Sequence, residues 1–424
     1  MVNFLRKSVF LNVCLFTYVI GYVLFPAVMG NATQGMVKLF LVITMLLLLY
    51  CCSNGCNRCI SVTKTIMPFF LVFVFVQTFL FSPMFGVKYG INLLLFVFLC
   101  RYGNKVLCDN YSLFVKISSL VACIPVIYFC LLYHKAYFFR TNIFIEKQTL
   151  SLLLATAYML CLVDAFFSAK QKKWNATIFA ALVVINVFII QSKSSLFVLL
   201  IGCIVLFLTK KSVRLWFRKK IFFFLMGYVA LLALFPTLAL PDDIRFGINR
   251  VIGTNLFSTD FVRSEDRMEL TYSIRDDSRI FCFQTFLQHP IVGIGLGNFS
   301  SHIKKSSSAV RFLGEPESAW LSILTEGGGL YVLSMLVFFF SNIYFAYSRC
   351  RRNDNDVYAY RVLLINVCYC VIFFFNDFMD SLFWMSSGIT LGAIYYDSRT
   401  KCCTFVFPDG EGEIDKALIL SRMK

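Results

Sequence analysis

Stretches in which nearly every position is apolar recur along the chain, separated by short polar breaks: 9–29, 36–52, 66–82, 85–100, 112–133, 149–169, 175–190, 194–209, 220–240, 318–347, 360–375 and 381–397. Their length approaches the roughly 20 residues a helix needs to cross about 30 Å of hydrocarbon. In hydrocarbon every backbone N–H and C=O must pair internally, and these runs do not alternate apolar with polar as barrel strands do. The pattern predicts an all-α, polytopic integral membrane protein of about 12 transmembrane helices. One long polar interruption breaks the series. The chain therefore divides into helices 1–9 over 1–240, a large loop over 241–317, helices 10–12 over 318–400 and a tail over 401–424.

Composition sharpens this picture. With 59% hydrophobic and only 15% charged residues, the chain carries more apolar surface than a soluble fold can hide. The net charge of +17 does not point to nucleic acid, because Lys and Arg punctuate the ends of the apolar runs instead of forming one basic domain. Basic residues resist translocation, and one set of ends and short loops holds 24 of them against 4 on the opposite set. Both termini are thus expected in the cytoplasm and the 241–317 loop outside. Lys38, Lys88 and Lys116, near helix ends, are expected to snorkel. Of 17 cysteines only Cys282 falls in a segment placed outside, where it has no partner for an internal disulfide.

The large loop is where chemistry is expected. It holds 10 acidic and 9 basic residues, a balanced density that suggests a small folded cap. From Tyr272 to Leu287 apolar residues recur at helical spacing (Ile280, Phe283, Phe286, Leu287), predicting an amphipathic helix with Arg275 and Arg279 one turn apart. Two guanidiniums on one face suit a phosphate clamp, and equally suit local pairing with Asp276, Asp277 or Asp242. The glycines of His289-Pro290-Ile291-Val292-Gly293-Ile294-Gly295-Leu296-Gly297-Asn298-Phe299 lack the Lys-Ser/Thr pair of a phosphate-binding loop, so on their own they predict a tight turn.

That run resembles the hPxxGxGxxNF signature of the O-antigen ligase and polymerase superfamily, whose members assemble bacterial envelope polysaccharides. Three elements match in order: Gln191-Ser192-Lys193-Ser194-Ser195 interrupting an apolar run, Arg279 upstream of the His-Pro pair, and Glu317-Ser318-Ala319-Trp320-Leu321 through Glu326-Gly327-Gly328-Gly329 opening the next helix. Glu317-Ser318 stands where ligases of the superfamily usually carry His-Asn, which favours a Wzy-type polymerase. Lys193 stands where an arginine is usual and keeps its charge without the bidentate fork.

The resemblance implies a glycosyltransferase of the bacterial inner membrane that joins undecaprenyl-pyrophosphate-linked oligosaccharide repeats at the periplasmic face, without metal or cofactor, alongside a chain-length regulator. Cations must stabilise the charge growing on the departing pyrophosphate. The expected set is Arg279 and Lys193, with Arg275 in reserve; Lys193 alternatively snorkels at a tight turn. Glu317 is the candidate base for the acceptor hydroxyl. Alternatively it caps the helix beginning at Ser318 or pairs with Arg311. Glu326 is expected to make an internal structural contact. The competing functions are a ligase and, because Asp164, Asp377 and Asp380 lie at membrane depth, a flippase or other transporter.

Overall fold

The structure, a computed structural model, describes residues 83–133, 147–167, 172–190, 192–215, 265–305, 318–375 and 381–403. Among these the chain is helical, without strands: α1 (Pro83–Tyr102), α2 (Lys105–Tyr133), α3 (Lys147–Phe167), α4 (Lys172–Ile185, continued as a π turn over Asn186–Ile190), α5 (Lys193–Thr209), α6 (Glu265–Gln288), α7 (Phe299–Lys305), α8 (Ala319–Arg352), α9 (Val357–Ile372) and α10 (Ser381–Cys403). Each lies on an expected run or within the expected loop. The runs at 9–29, 36–52, 66–82 and 220–240 lie outside the described residues.

Among the described residues, three helical stretches are long and apolar enough to cross a membrane: Lys105–Tyr128, Leu150–Phe167 and Ala319–Arg352. The apolar cores of α1, α4, α5, α9 and α10 are shorter. α3 is the hub, packed against α2, α4, α5 and α9, with α8 and α10 completing the bundle around α9. α8 is apolar on both sides: Tyr331, Met335, Phe338 and Phe339 face the core while Leu333, Val337 and Phe340 face outward. An outward apolar stripe on a helix of this length fits a lipid solvent.

Local sequence sets the helix ends. Ser318 caps α8, its hydroxyl accepting from Leu321 N at 3.2 Å, and Arg349, Arg351 and Arg352 complement the dipole in the last turn. Asp356 caps α9 through Ala359 N and pairs with Arg349 at 2.9 Å, tying the α8–α9 turn. Between α4 and α5 the chain reverses within a few residues because Asn186, in the π turn, binds Ser192 N at 3.0 Å and Ser195 Oγ at 2.8 Å. α1 and α10 approach most closely where Gly392 lies against the Leu99 carbonyl and the Gly103 backbone; a Cβ there would collide with both. Gly388 precedes it by one turn, the small-xxx-small spacing that lets membrane helices touch.

These connections sort the helix ends into two groups. One end of the bundle gathers the starts of α2, α4 and α9 and the ends of α3, α5 and α8. The other gathers the starts of α3, α5 and α8 with the end of α9.

Candidate functional site

The glycine-rich motif is built into a break in α8. Gly328 adopts φ 66 and ψ −169, which removes the helical bonds that Gly329 and Leu330 would donate to Thr325 and Glu326. The motif replaces them. Gly329 N donates to Pro290 O (2.8 Å) and Leu330 N to Ile291 O (3.2 Å), while Ile294 N and Gly295 N donate to the freed carbonyls of Thr325 (3.1 Å) and Glu326 (2.9 Å). Gly293, at φ 70, lies so close that a side chain on it would strike the Thr325 and Glu326 carbonyls. Buried Glu326 completes the junction, its carboxylate accepting from Phe299 N at 3.1 Å at the start of α7. The glycines are thus required for interlocking backbones.

This junction anchors α6 against α8. The expected helix forms, yet its faces differ from the expected ones. Ile280, Phe283 and Leu287 are exposed and Phe286 is half-buried, while Ser278, Cys282 and Thr285 form the side pressed inward, with Cys282 against Phe299 and Ile303. Small residues admit the close approach that bulky ones would prevent. Cys282, expected as a lone outer thiol, is fully buried.

Arg279 is exposed on α6 near its contact with α8, and the backbone of Arg275 lies one turn earlier on the same helix. Lys193 is exposed in the first turn of α5. Glu317 lies outside the described residues, as does the side chain of Arg275. The starts of α5 and α8 share one end of the bundle through the chain end of α9. Phe375 rings against Phe197 of α5 (5.6 Å), and Phe374 against Trp320 of α8 (5.8 Å). Trp320 itself is a latch between helices, its indole N–H donating to Cys370 O at 3.0 Å. Beside Lys193, Ser192 and Ser194 share hydrogen bonds with Ser151 of α3 at 2.7 and 2.8 Å. This end therefore presents Lys193 beside satisfied hydroxyls, while Arg279 rides on the helix docked against α8.

The opposite end holds a buried ion network. Asp164 of α3 binds the Lys116 ammonium through one oxygen and Arg361 Nη2 through the other at 2.7 Å, with Ser112 Oγ donating at 2.8 Å. Arg361 also reaches Asp109 at 2.6 Å, and Lys116 donates to Asn175 Oδ1 of α4 at 2.8 Å. Lys116, Asp164 and Arg361 are 3%, 5% and 5% exposed. Lys116 therefore does not snorkel as expected. It lies more than two turns inside α2, beside a carboxylate that would otherwise be buried alone. Arg361 lies in the second turn of α9, at the start of the expected run 360–375. Two cations and two carboxylates balance, joining α2, α3, α4 and α9. Nearby, Lys210 lies 3.2 Å over the Phe167 ring and donates to Asp354 O; burial holds its ammonium below the usual lysine range.

Sequence reasoning noticed Asp164 but not its partners, because nothing in local spacing links it to residues 48 and 197 positions away. The chain matches no protein-family model, and a search of curated proteins finds no match.

Proposed function

We propose that this chain is a Wzy-type polysaccharide polymerase, a glycosyltransferase that joins undecaprenyl-pyrophosphate-linked oligosaccharide repeats. In this reading about 12 helices cross the bacterial inner membrane, both termini are cytoplasmic and the 241–317 loop is periplasmic. The carrying observation is the interlock between the His289–Phe299 motif and the break in α8. It fixes the helix bearing Arg279 on the first turns of α8, at the end of the bundle where Lys193 is exposed.

The chemistry follows from charge. As the glycosidic bond of the donor breaks, its electron pair leaves with the lipid pyrophosphate, while the acceptor hydroxyl forms the new bond and loses a proton. Arg279, with its planar fork, takes the phosphate oxygens; Lys193 and Arg275 add to the same field. Glu317, immediately before the cap of α8, accepts the proton. Positioning comes from the backbone interlock, which holds its geometry without relying on flexible side chains.

Purified protein in lipid nanodiscs, given lipid-linked repeats, is expected to lengthen them without nucleotide or metal. Unaltered length with movement of the substrate across the membrane indicates a flippase, and transfer only to a different acceptor lipid indicates a ligase. Arg279→Ala is expected to abolish lengthening while leaving insertion and melting temperature intact; full activity would remove the assignment. Glu317→Gln is expected to flatten the rising limb of the pH–rate profile, and an unchanged profile would dismiss the base.

A further inference from the structure

The side of α6 turned away from α8 is built for an apolar solvent. Ile280, Phe283 and Leu287 follow one another at three- and four-residue spacing and are 55%, 55% and 61% exposed; Ile291, just beyond the helix, is 65% exposed. They lie opposite the buried Ser278–Cys282–Thr285 face. In water such a stripe would be an uncompensated cost.

Three observations indicate what covers it. The stripe is continuous with the outward side of α8: the Ile291 carbonyl accepts from Leu330 N at 3.2 Å, and Leu330, Leu333 and Val337 are themselves exposed apolar positions of a helix fit to cross a membrane. Charge is confined to its ends, since the 24 residues from Ile280 to Ile303 include no Asp, Glu, Lys or Arg, with Arg279 immediately before and Lys304 and Lys305 immediately after. That is the flanking pattern of a segment held at a lipid boundary. Finally, the irregular backbone at 290–295 has its key groups paired with α8, the condition under which non-helical chain is tolerated at membrane depth.

We propose that Ile280–Ile303 is a membrane-embedded element, with the outward stripe of α6 in contact with lipid acyl chains beside α8. The large polar loop is therefore a cap whose central portion re-enters the lipid, and Arg279 stands at the boundary. The inference requires only that the chain is a membrane protein; it does not depend on the polymerase reading.

Wild-type protein is reconstituted in bilayers containing a phospholipid with a diazirine on its acyl chain, illuminated, and the adducts mapped by mass spectrometry. The expected result is labelling of Ile280, Phe283, Leu287 and Ile291 at levels comparable to Leu333 and Phe340, and several-fold above Asp277. Labelling of α8 without labelling of the α6 stripe overturns the proposal, meaning that water or another part of the protein covers it. Absence of labelling on both removes the lipid-facing surface on which the continuity argument stands. p-Benzoylphenylalanine at Phe283 separates covers: a lipid adduct supports the proposal, whereas a cross-link within the chain or to a second copy overturns it. None of these outcomes measures glycosyl transfer, so an inactive protein with a labelled stripe leaves the embedding intact.

Discussion

The two ends of the helical bundle use charge in opposite ways. At one, Lys116, Asp164 and Arg361 are bound to one another inside the protein and Arg361 reaches half-exposed Asp109 at its edge, in a neutral group with hydroxyl and amide support. At the other, Lys193 and Arg279 are exposed above a scaffold of backbone bonds and shared serine hydroxyls. Internally matched charges have their partners built in and serve to fasten helices. Solvent-exposed cations, whatever their neighbours, add to a surface field that an anion from outside can meet. A membrane protein can tolerate ionisable groups under either regime, and burial with matched partners separates the structural from the candidate functional set.

The sharpest way to break this contrast is Asp164→Ala, which leaves two cations buried without their shared carboxylate. A loss of about 3–5 kcal/mol is expected, enough to prevent recovery of folded protein. Detergent-solubilised yield and thermal unfolding measure it. Apolar replacement of Lys116, Asp164 and Arg361 together should recover much of that loss; no recovery would mean the charges do more than fasten. Next comes Gly328→Ala, where a Cβ meets the Ile291 and Gly293 backbone at positive φ. It should cost roughly 1–3 kcal/mol. If α6 is released from α8, Cys282 is expected to react with maleimide, to which the buried wild-type thiol should be inert.

Trp320→Phe keeps the ring packing and removes one hydrogen bond to Cys370, an expected cost of about 0.5–1.5 kcal/mol visible as a lower melting temperature. Arg279→Ala should have the smallest effect on folding, within about 0.5 kcal/mol, because the residue is exposed. Its expected loss of glycosyl transfer makes it the mirror image of Asp164→Ala. A large drop in stability would place Arg279 with the fastening charges.

The helices were legible in the sequence because a run's length is a local property, and the structure puts α1 to α5 and α8 to α10 on expected runs. Glu326 was legible as an internal contact because an acid among glycines near the start of an apolar helix has few other uses. The faces of α6 were not. Helical spacing of bulky apolar residues marks a core face in a water-soluble protein, but beside a membrane helix the inward side is taken by Ser278, Cys282 and Thr285. The partners of Asp164 were hidden for a different reason: contacts between distant helices leave no periodic trace. Lys116 was hidden too: the apolar run begins at 112, whereas α2 begins at Lys105 and so puts Lys116 three turns inside the helix.

The ion network also bears on how the chain is made. Membrane helices enter the bilayer in order of synthesis, and an arginine is among the least welcome side chains for insertion. α9 brings Arg361 to a carboxylate 197 positions earlier in the chain, one that in the folded protein also holds a lysine of the neighbouring helix. The neutralising partner of a late helix's arginine thus sits on an earlier helix, so α9 meets its own counter-charge only in the company of α2 and α3.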